Sequence, residues 1–185
     1  MLAQEAASQL NLERVLLVPT GQAPHKVIEP EPGPEARLEM TRMAAAGDER
    51  FEVLDFEVAT PGPSYTYLTL ERLLEFHPDD ELWLLMGADM AASLEAWEKP
   101  ERVVELARIG VAARPGTTTA DARAALERLG ALETAEFVQM PEIGVSSTAI
   151  RERVATGRPI RYLVGEGVRE AIERRGLYRE AVAAR

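Results

Sequence analysis

The chain has 185 residues, 46% of them hydrophobic, which is enough for one ordinary domain to close a core without staples and excludes fibres, tails and disordered regulators. Its net charge of -10 repels phosphate and so disfavours a general nucleic-acid or anionic-membrane surface. With no cysteine there is no disulfide framework, zinc-thiolate site or thiol nucleophile, and the expected compartment is the cytoplasm.

Taken in chain order, residues 1–10 read as the end of an amphipathic helix leading into an apolar run, Val15 to Val18, of the kind that suits a strand buried on both faces. Pro19 to Pro34 is a loop, and Pro34 opens a helix that Gly47 stops. The alternation from Phe51 to Val58 predicts a strand, broken by Pro61-Gly62-Pro63, and Ser64 is placed to cap a helix running to His77-Pro78. Leu82 to Met86 is a second buried strand, followed by a helical stretch through Ala107. Ile109 to Ala113 is a strand stopped by Arg114-Pro115-Gly116. Thr118 and Asp121 then suggest a capping box for a helix to Leu129. Phe137 to Met140 is the last strand, and from Ser146 the chain is helical with glycine interruptions at 157 and 165–167.

Apolar strands alternating with helices predict an α/β fold with a doubly wound, mostly parallel sheet, here assigned to one domain over 1–185 with a helical part from about residue 146. In such a sheet the ligand crevice lies beyond the carboxyl ends of the strands. The residues at those ends are small and polar: the loop Pro19 to Lys26, with one of two histidines and one of two lysines, then Gly87-Ala88-Asp89, Arg114-Pro115-Gly116, and Gly144 to Arg151. Hydroxyls and backbone N–H groups at a helix start make an anion site, and an arginine one turn in can fork onto phosphate oxygens. Each segment also has a plainer reading, as a helix cap, a tight turn or solvated loop, and Trp97 could be core alone. Their joint position at strand ends is what favours a site.

The segments Val18 to Lys26, Arg37-Leu38-Glu39-Met40, Gly62-Pro63-Ser64-Tyr65-Thr66, Met86-Gly87-Ala88-Asp89, Trp97, Ala113-Arg114-Pro115-Gly116, Val145 to Arg151, Arg161-Tyr162-Leu163-Val164 and Gly176-Leu177-Tyr178 together resemble the bacterial nicotinate-nucleotide adenylyltransferases, nearly end to end. The serine-serine-threonine-x-isoleucine-arginine signature is shared by the wider nucleotidyltransferase superfamily, which has a Rossmann-like fold. The proline-histidine-lysine loop, the serine-tyrosine-threonine turn and the tryptophan point to the nicotinate branch. The resemblance implies transfer of AMP from ATP to nicotinate mononucleotide, giving deamido-NAD and pyrophosphate with Mg2+, without a covalent enzyme intermediate. It implies that Ser146, Ser147 and Arg151 hold ATP phosphates, with Ser147 and Arg151 catalytic. Gly87 and Asp89 would line the nucleotide pocket near Arg114. Tyr65, Thr66 and Trp97 would meet the nicotinate group, and His25 and Lys26 the mononucleotide side, with no dedicated metal ligands. Expected partners are ATP and nicotinate mononucleotide, not nucleic acid or membrane, and a homo-oligomer is compatible.

The family also opens with a strand and a glycine-x-phenylalanine-x-proline-x-histidine-x-glycine-histidine loop, whose histidines contact ATP phosphates. This chain has only His25 and His77, neither in that pattern, so the first strand and its loop are expected to be missing, as from a start placed too far downstream. On that argument the 185-residue form should show little adenylyltransfer. Alternatives are an impaired nucleotide-binding remnant, or an acceptor such as nicotinamide mononucleotide or phosphopantetheine.

Overall fold

The computed structural model describes residues 1–23, 32–113 and 118–179, and these divide into two compact units. The first comprises residues 1–15 and 65–142, the second 16–64 and 143–185.

The first unit is built on three parallel strands in the order β3 (Trp83–Gly87), β4 (Arg108–Ala113), β5 (Glu136–Gln139), with Trp83 opposite Arg108 and Gly110 opposite Glu136. The central strand β4 is buried at Ile109, Gly110, Val111 and Ala112, as an apolar run covered by helices requires. The helices of this unit are α1 (Leu2–Gln9), α4 (Thr66–Phe76), α5 (Ala88–Ala92), α6 (Pro100–Leu106) and α7 (Ala120–Arg128). Helix α5 packs on α7, α4 on α6, and α1 lies against β3 and β5. Leu94, Val103, Ile109, Val111 and Leu126 are fully buried in its core, and Tyr67, Leu84, Trp97 and Phe137 cover it. Gly110 lets α1 come close: a β-carbon there would meet Leu85 Cδ2 at 2.6 Å and Leu10 Cδ1 at 3.3 Å.

The second unit carries the two-stranded pair β1 (Val15–Leu17, whose first residue belongs to the other unit) and β2 (Phe51–Val53). Its helices are α2 (Pro34–Ala45), α3 (Phe56–Ala59), α8 (Ser147–Ala155) and α9 (Glu166–Arg175). Ile150, Ile160 and Ile172 form a small core covered by Met40, Val154, Val164, Val168 and Leu177. Glu39 of α2 pairs with both Arg174 and Arg175 of α9.

Four local expectations are corrected. The strand expected over 51–58 ends at Val53, because residues 56–59 close a helical turn in which Ala59 N–H reaches Asp55 O at 2.9 Å and Thr60 Oγ1 donates to Phe56 O at 2.6 Å. Ser64 does not cap α4. Its hydroxyl instead accepts the N–H groups of Gly21 (3.1 Å) and Gln22 (3.4 Å), tying down the chain that leaves β1. The helix expected from Ala88 to Ala107 is broken between Ser93 and Lys99, and Pro100 starts a new one, since its ring fits the first turn of a helix but not the middle. At α7 the residue before the helix is Thr119 without a side-chain cap, and Thr118 Oγ1 accepts the Ala120 N–H at 3.2 Å, so no capping box forms. Among the described residues no helix is long and apolar enough to cross a membrane.

Candidate active site

In the first unit the candidate residues stand at the carboxyl end of β3 and on the segments that flank it in sequence. Gly87 is the last residue of the strand and pairs with Ala112, and Asp89 follows in the first turn of α5. Glycine leaves room for the Asp89 carboxylate at this turn: a β-carbon on residue 87 would lie 2.5 Å from Asp89 Oδ1. The carboxylate is thus folded back over the strand end. It is exposed, and no protein donor reaches it among the described residues, so it is available to accept hydrogen bonds from a ligand hydroxyl or amine.

Trp97 emerges from a 3₁₀ turn at Leu94–Ala96, with its N–H on Leu94 O at 3.0 Å, and is half-buried against the core of the unit. Tyr65 precedes α4 and Thr66 opens it, both half-buried. The Tyr65 ring stacks on Tyr67 with centroids 6.2 Å apart and planes inclined by 28°. Tyr67 packs on the same core as Trp97.

In the second unit the sequence from 146 to 151 forms a helix start with spare donors. Ser146 is the cap of α8, and its Oγ accepts the N–H of Ala149 at 3.1 Å. Ser147 and Thr148 begin the helix, where no preceding turn can supply acceptors, and among the described residues no side chain accepts their N–H groups. The Arg151 guanidinium, one turn on, donates to Thr148 Oγ1 at 3.2 Å and so lies along the helix start. Backbone N–H groups, two serine hydroxyls and an arginine at one exposed helix end can together take an anion with several oxygens.

The chain entering residues 24–31 is also anchored in this unit. Arg37 of α2 donates to Thr20 O (3.1 and 2.7 Å) and to Gly21 O (2.7 Å). Gly21 is tight against Glu57, whose carbonyl oxygen would be 2.1 Å from a β-carbon at residue 21. His25, Lys26 and Arg114 lie outside the described residues. Tyr65, Thr66, Gly87, Asp89 and Trp97 therefore belong to one unit and Ser146, Ser147 and Arg151 to the other. Lys99, whose ammonium lies 4.4 Å from the centroid of the Tyr67 ring, is not singled out by strand-end position. Its signal in the sequence is rarity, as one of two lysines beside 19 arginines, two residues after Trp97.

A cytidylyltransferase-like family model matches residues 1–153. A protein of Roseiflexus sp. (strain RS-1) named "Probable nicotinate-nucleotide adenylyltransferase" is 43% identical over 179 residues, covering 96% of this chain and 89% of its own length. One of the same name from Thermus thermophilus is 42% identical, covering 97% and 90%. A solved nicotinic acid mononucleotide adenylyltransferase of Plasmodium falciparum, complexed with APC, superposes with a TM-score of 0.73 over 96% of this chain and 88% of that one, at 15% identity. The same protein is also known complexed with NaAD, with a TM-score of 0.73 at 16% identity. At that identity the likeness shows the fold, a nucleotidyltransferase-type α/β arrangement with parallel strands. Sequence likeness over almost the whole length carries the rest: the chain belongs to the nicotinate-nucleotide adenylyltransferases, an enzyme family of the cytidylyltransferase-like group.

Proposed function

We propose that this chain is organised for the transfer of AMP from ATP to nicotinate mononucleotide, at a rate that the lack of the histidine loop keeps low. An oxygen of the mononucleotide phosphate attacks the α-phosphorus of ATP, the bond from that phosphorus to the bridging oxygen breaks, and pyrophosphate leaves as deamido-NAD forms. No protein atom is bonded to the nucleotide at any stage, so the residues act by positioning and by neutralising charge. The observation that carries the reading is the start of α8, where Ser146, Ser147 and Arg151 present hydroxyls, backbone N–H groups and a guanidinium at one exposed helix end.

In the second unit we assign Ser146 to cap the helix start and to bind phosphate with Ser147 and Arg151, the latter two acting on the charge that grows on the leaving pyrophosphate. In the first unit Gly87 and Asp89 are assigned to the nucleotide, and Tyr65, Thr66 and Trp97 to the pyridine group. Arg114 is assigned to ATP, and His25 and Lys26 to the mononucleotide. A carboxylate met by hydroxyl and N–H donors would be preferred over a carboxamide, which presents donors of its own. Magnesium would come bound to the triphosphate and would supply neutralisation of its phosphate oxygens; among the described residues no group of three or more His, Asp or Glu converges.

The test is equilibrium binding of nicotinate mononucleotide, nicotinamide mononucleotide and phosphopantetheine, alongside deamido-NAD formation from ATP. Tighter binding of the acid than of the other two is expected. Preference for either of the others overturns the assignment of acceptor. Arg151→Ala is expected to weaken ATP binding about tenfold or more, as loss of a charged donor to a phosphate does.

A further inference from the structure

One contact joins the two segments assigned to the pyridine. Lys99 sits two residues after Trp97 with its backbone in the left-handed region (φ 50°, ψ 58°), a conformation that a residue with a β-carbon adopts only at a cost. Its ammonium lies 4.4 Å from the centroid of the Tyr67 ring, beside the Tyr65–Tyr67 stack. Tyr67 and Trp97 both rest on the core of the first unit, so the cation and these aromatic faces share one support. Lys99 is exposed, and among the described residues no carboxylate comes within ion-pairing distance of it. That is unusual company in a chain of net charge -10, where arginines such as Arg102, Arg108, Arg128 and Arg169 are each paired with a glutamate.

The chemistry such a group recognises is specific. A lysine is a compact point charge, whereas the oxygens of a polyphosphate are better matched by a forked guanidinium or a row of backbone N–H groups. Flat aromatic surface beside one unpaired ammonium complements an aromatic ring that carries a single negative group. We propose that Lys99 selects the pyridine carboxylate of the acceptor against the neutral carboxamide, a role that rests on the substrate reading above. The aromatic contact keeps the ammonium in place before the ligand arrives, because the cation is attracted to the face of the Tyr67 ring without being neutralised by it.

The experiment measures the affinities of nicotinate mononucleotide and nicotinamide mononucleotide for the wild-type chain, Lys99→Met and Lys99→Arg, with melting temperatures recorded for all three. Lys99→Met should narrow the acid-to-amide affinity ratio about tenfold, mostly through weaker binding of the acid, while Lys99→Arg keeps most of the ratio. In the wild type, raising KCl should narrow the same ratio, because an exposed ammonium is screened. A ratio unchanged in a folded Lys99→Met protein overturns the inference and leaves the substrate reading standing. If Lys99→Met fails to fold, Lys99→Gln and the salt series decide, and a preference for the acid that ignores salt overturns the inference. A wild-type chain that binds neither nucleotide overturns both readings.

Discussion

Ser146 caps a helix in the fold and, in the proposed function, also meets the ligand. Its hydroxyl closes the first turn of α8 on the Ala149 N–H, which leaves the N–H groups of Ser147 and Thr148 pointing outward. Replacing a capping serine by alanine costs about 1 kcal/mol, so Ser146→Ala should lower Tm by about 2–4 °C in thermal unfolding followed by circular dichroism. If the same helix start takes phosphate, ATP binding should weaken by more than that loss of stability would cause. Gly87 makes the complementary case. Gly87→Ala would put a methyl group 2.5 Å from Asp89 Oδ1, and the carboxylate, being exposed and unpaired among the described residues, can swing aside. The expected result is a melting temperature close to that of the wild type, with nucleotide binding weakened several-fold in titration. A variant that binds ATP as tightly as the wild type would remove Asp89 from the nucleotide assignment.

At the scale of elements, packing decides what propensity leaves open. Gly110 is the middle of the three-stranded sheet, and its missing side chain is the space into which Leu85 and Leu10 reach. Gly110→Ala should cost about 1–3 kcal/mol in urea unfolding, the usual penalty of an added methyl in a filled core. Adding Leu10→Ala to it should return part of that loss, which a double-mutant cycle would measure. The strands β3, β4 and β5 and the helix start at Ser146 are readable from the chain because apolar runs, glycine stops and a serine cap each act locally. Residues 56–59 are not. Phe56-Glu57-Val58 alternates as a strand would, but the turn is closed by Asp55 and Thr60 and its Glu57 carbonyl backs onto Gly21, 36 residues away in sequence, a contact no local pattern records. Ser64 misleads for the same reason, since its partners, Gly21 and Gln22, are distant in the chain. Of the candidate residues, Gly87 and Asp89 in one unit and Ser146 and Arg151 in the other stand where the backbone changes from strand or loop to helix, a change the sequence marks locally. Lys99 depends on Tyr67, from another helix, and spacing alone could not pair them.

For the molecule as a whole, two electrostatic effects of opposite sign set the pH dependence of stability. The net charge of -10 makes the folded chain repel itself at neutral pH, and this repulsion fades as the solution approaches the isoelectric point near 4.8. Against it stand carboxylates held below their usual range by arginine. Hydrogen bonds from Arg50 bring Asp48 from 3.8 down to about 2, and those from Arg175 and Arg174 lower half-buried Glu39, overcoming its loss of solvation. Glu95 is lowered by Arg128 and Glu166 by Arg169 in the same way. A carboxylate with a lowered pKa in the fold stabilises it above the unfolded value, and that contribution is lost as pH falls through the folded value. For the three glutamates the loss begins near pH 4.5; for Asp48 it begins near pH 3.8 and runs on to about pH 2. Tm should therefore hold or rise slightly from pH 8 to about 5 and then fall steeply below about 4.5. Added NaCl should raise Tm at pH 8, where it screens the surplus negative charge. Glu39→Gln removes a pairing that ties α2 to α9, so it should lower Tm at pH 7 and converge on the wild type in acid, where Glu39 is protonated in both folded and unfolded chains. Parallel curves for the two proteins from pH 7 down to pH 2 would show that the Glu39 pairing contributes nothing to the acid limb.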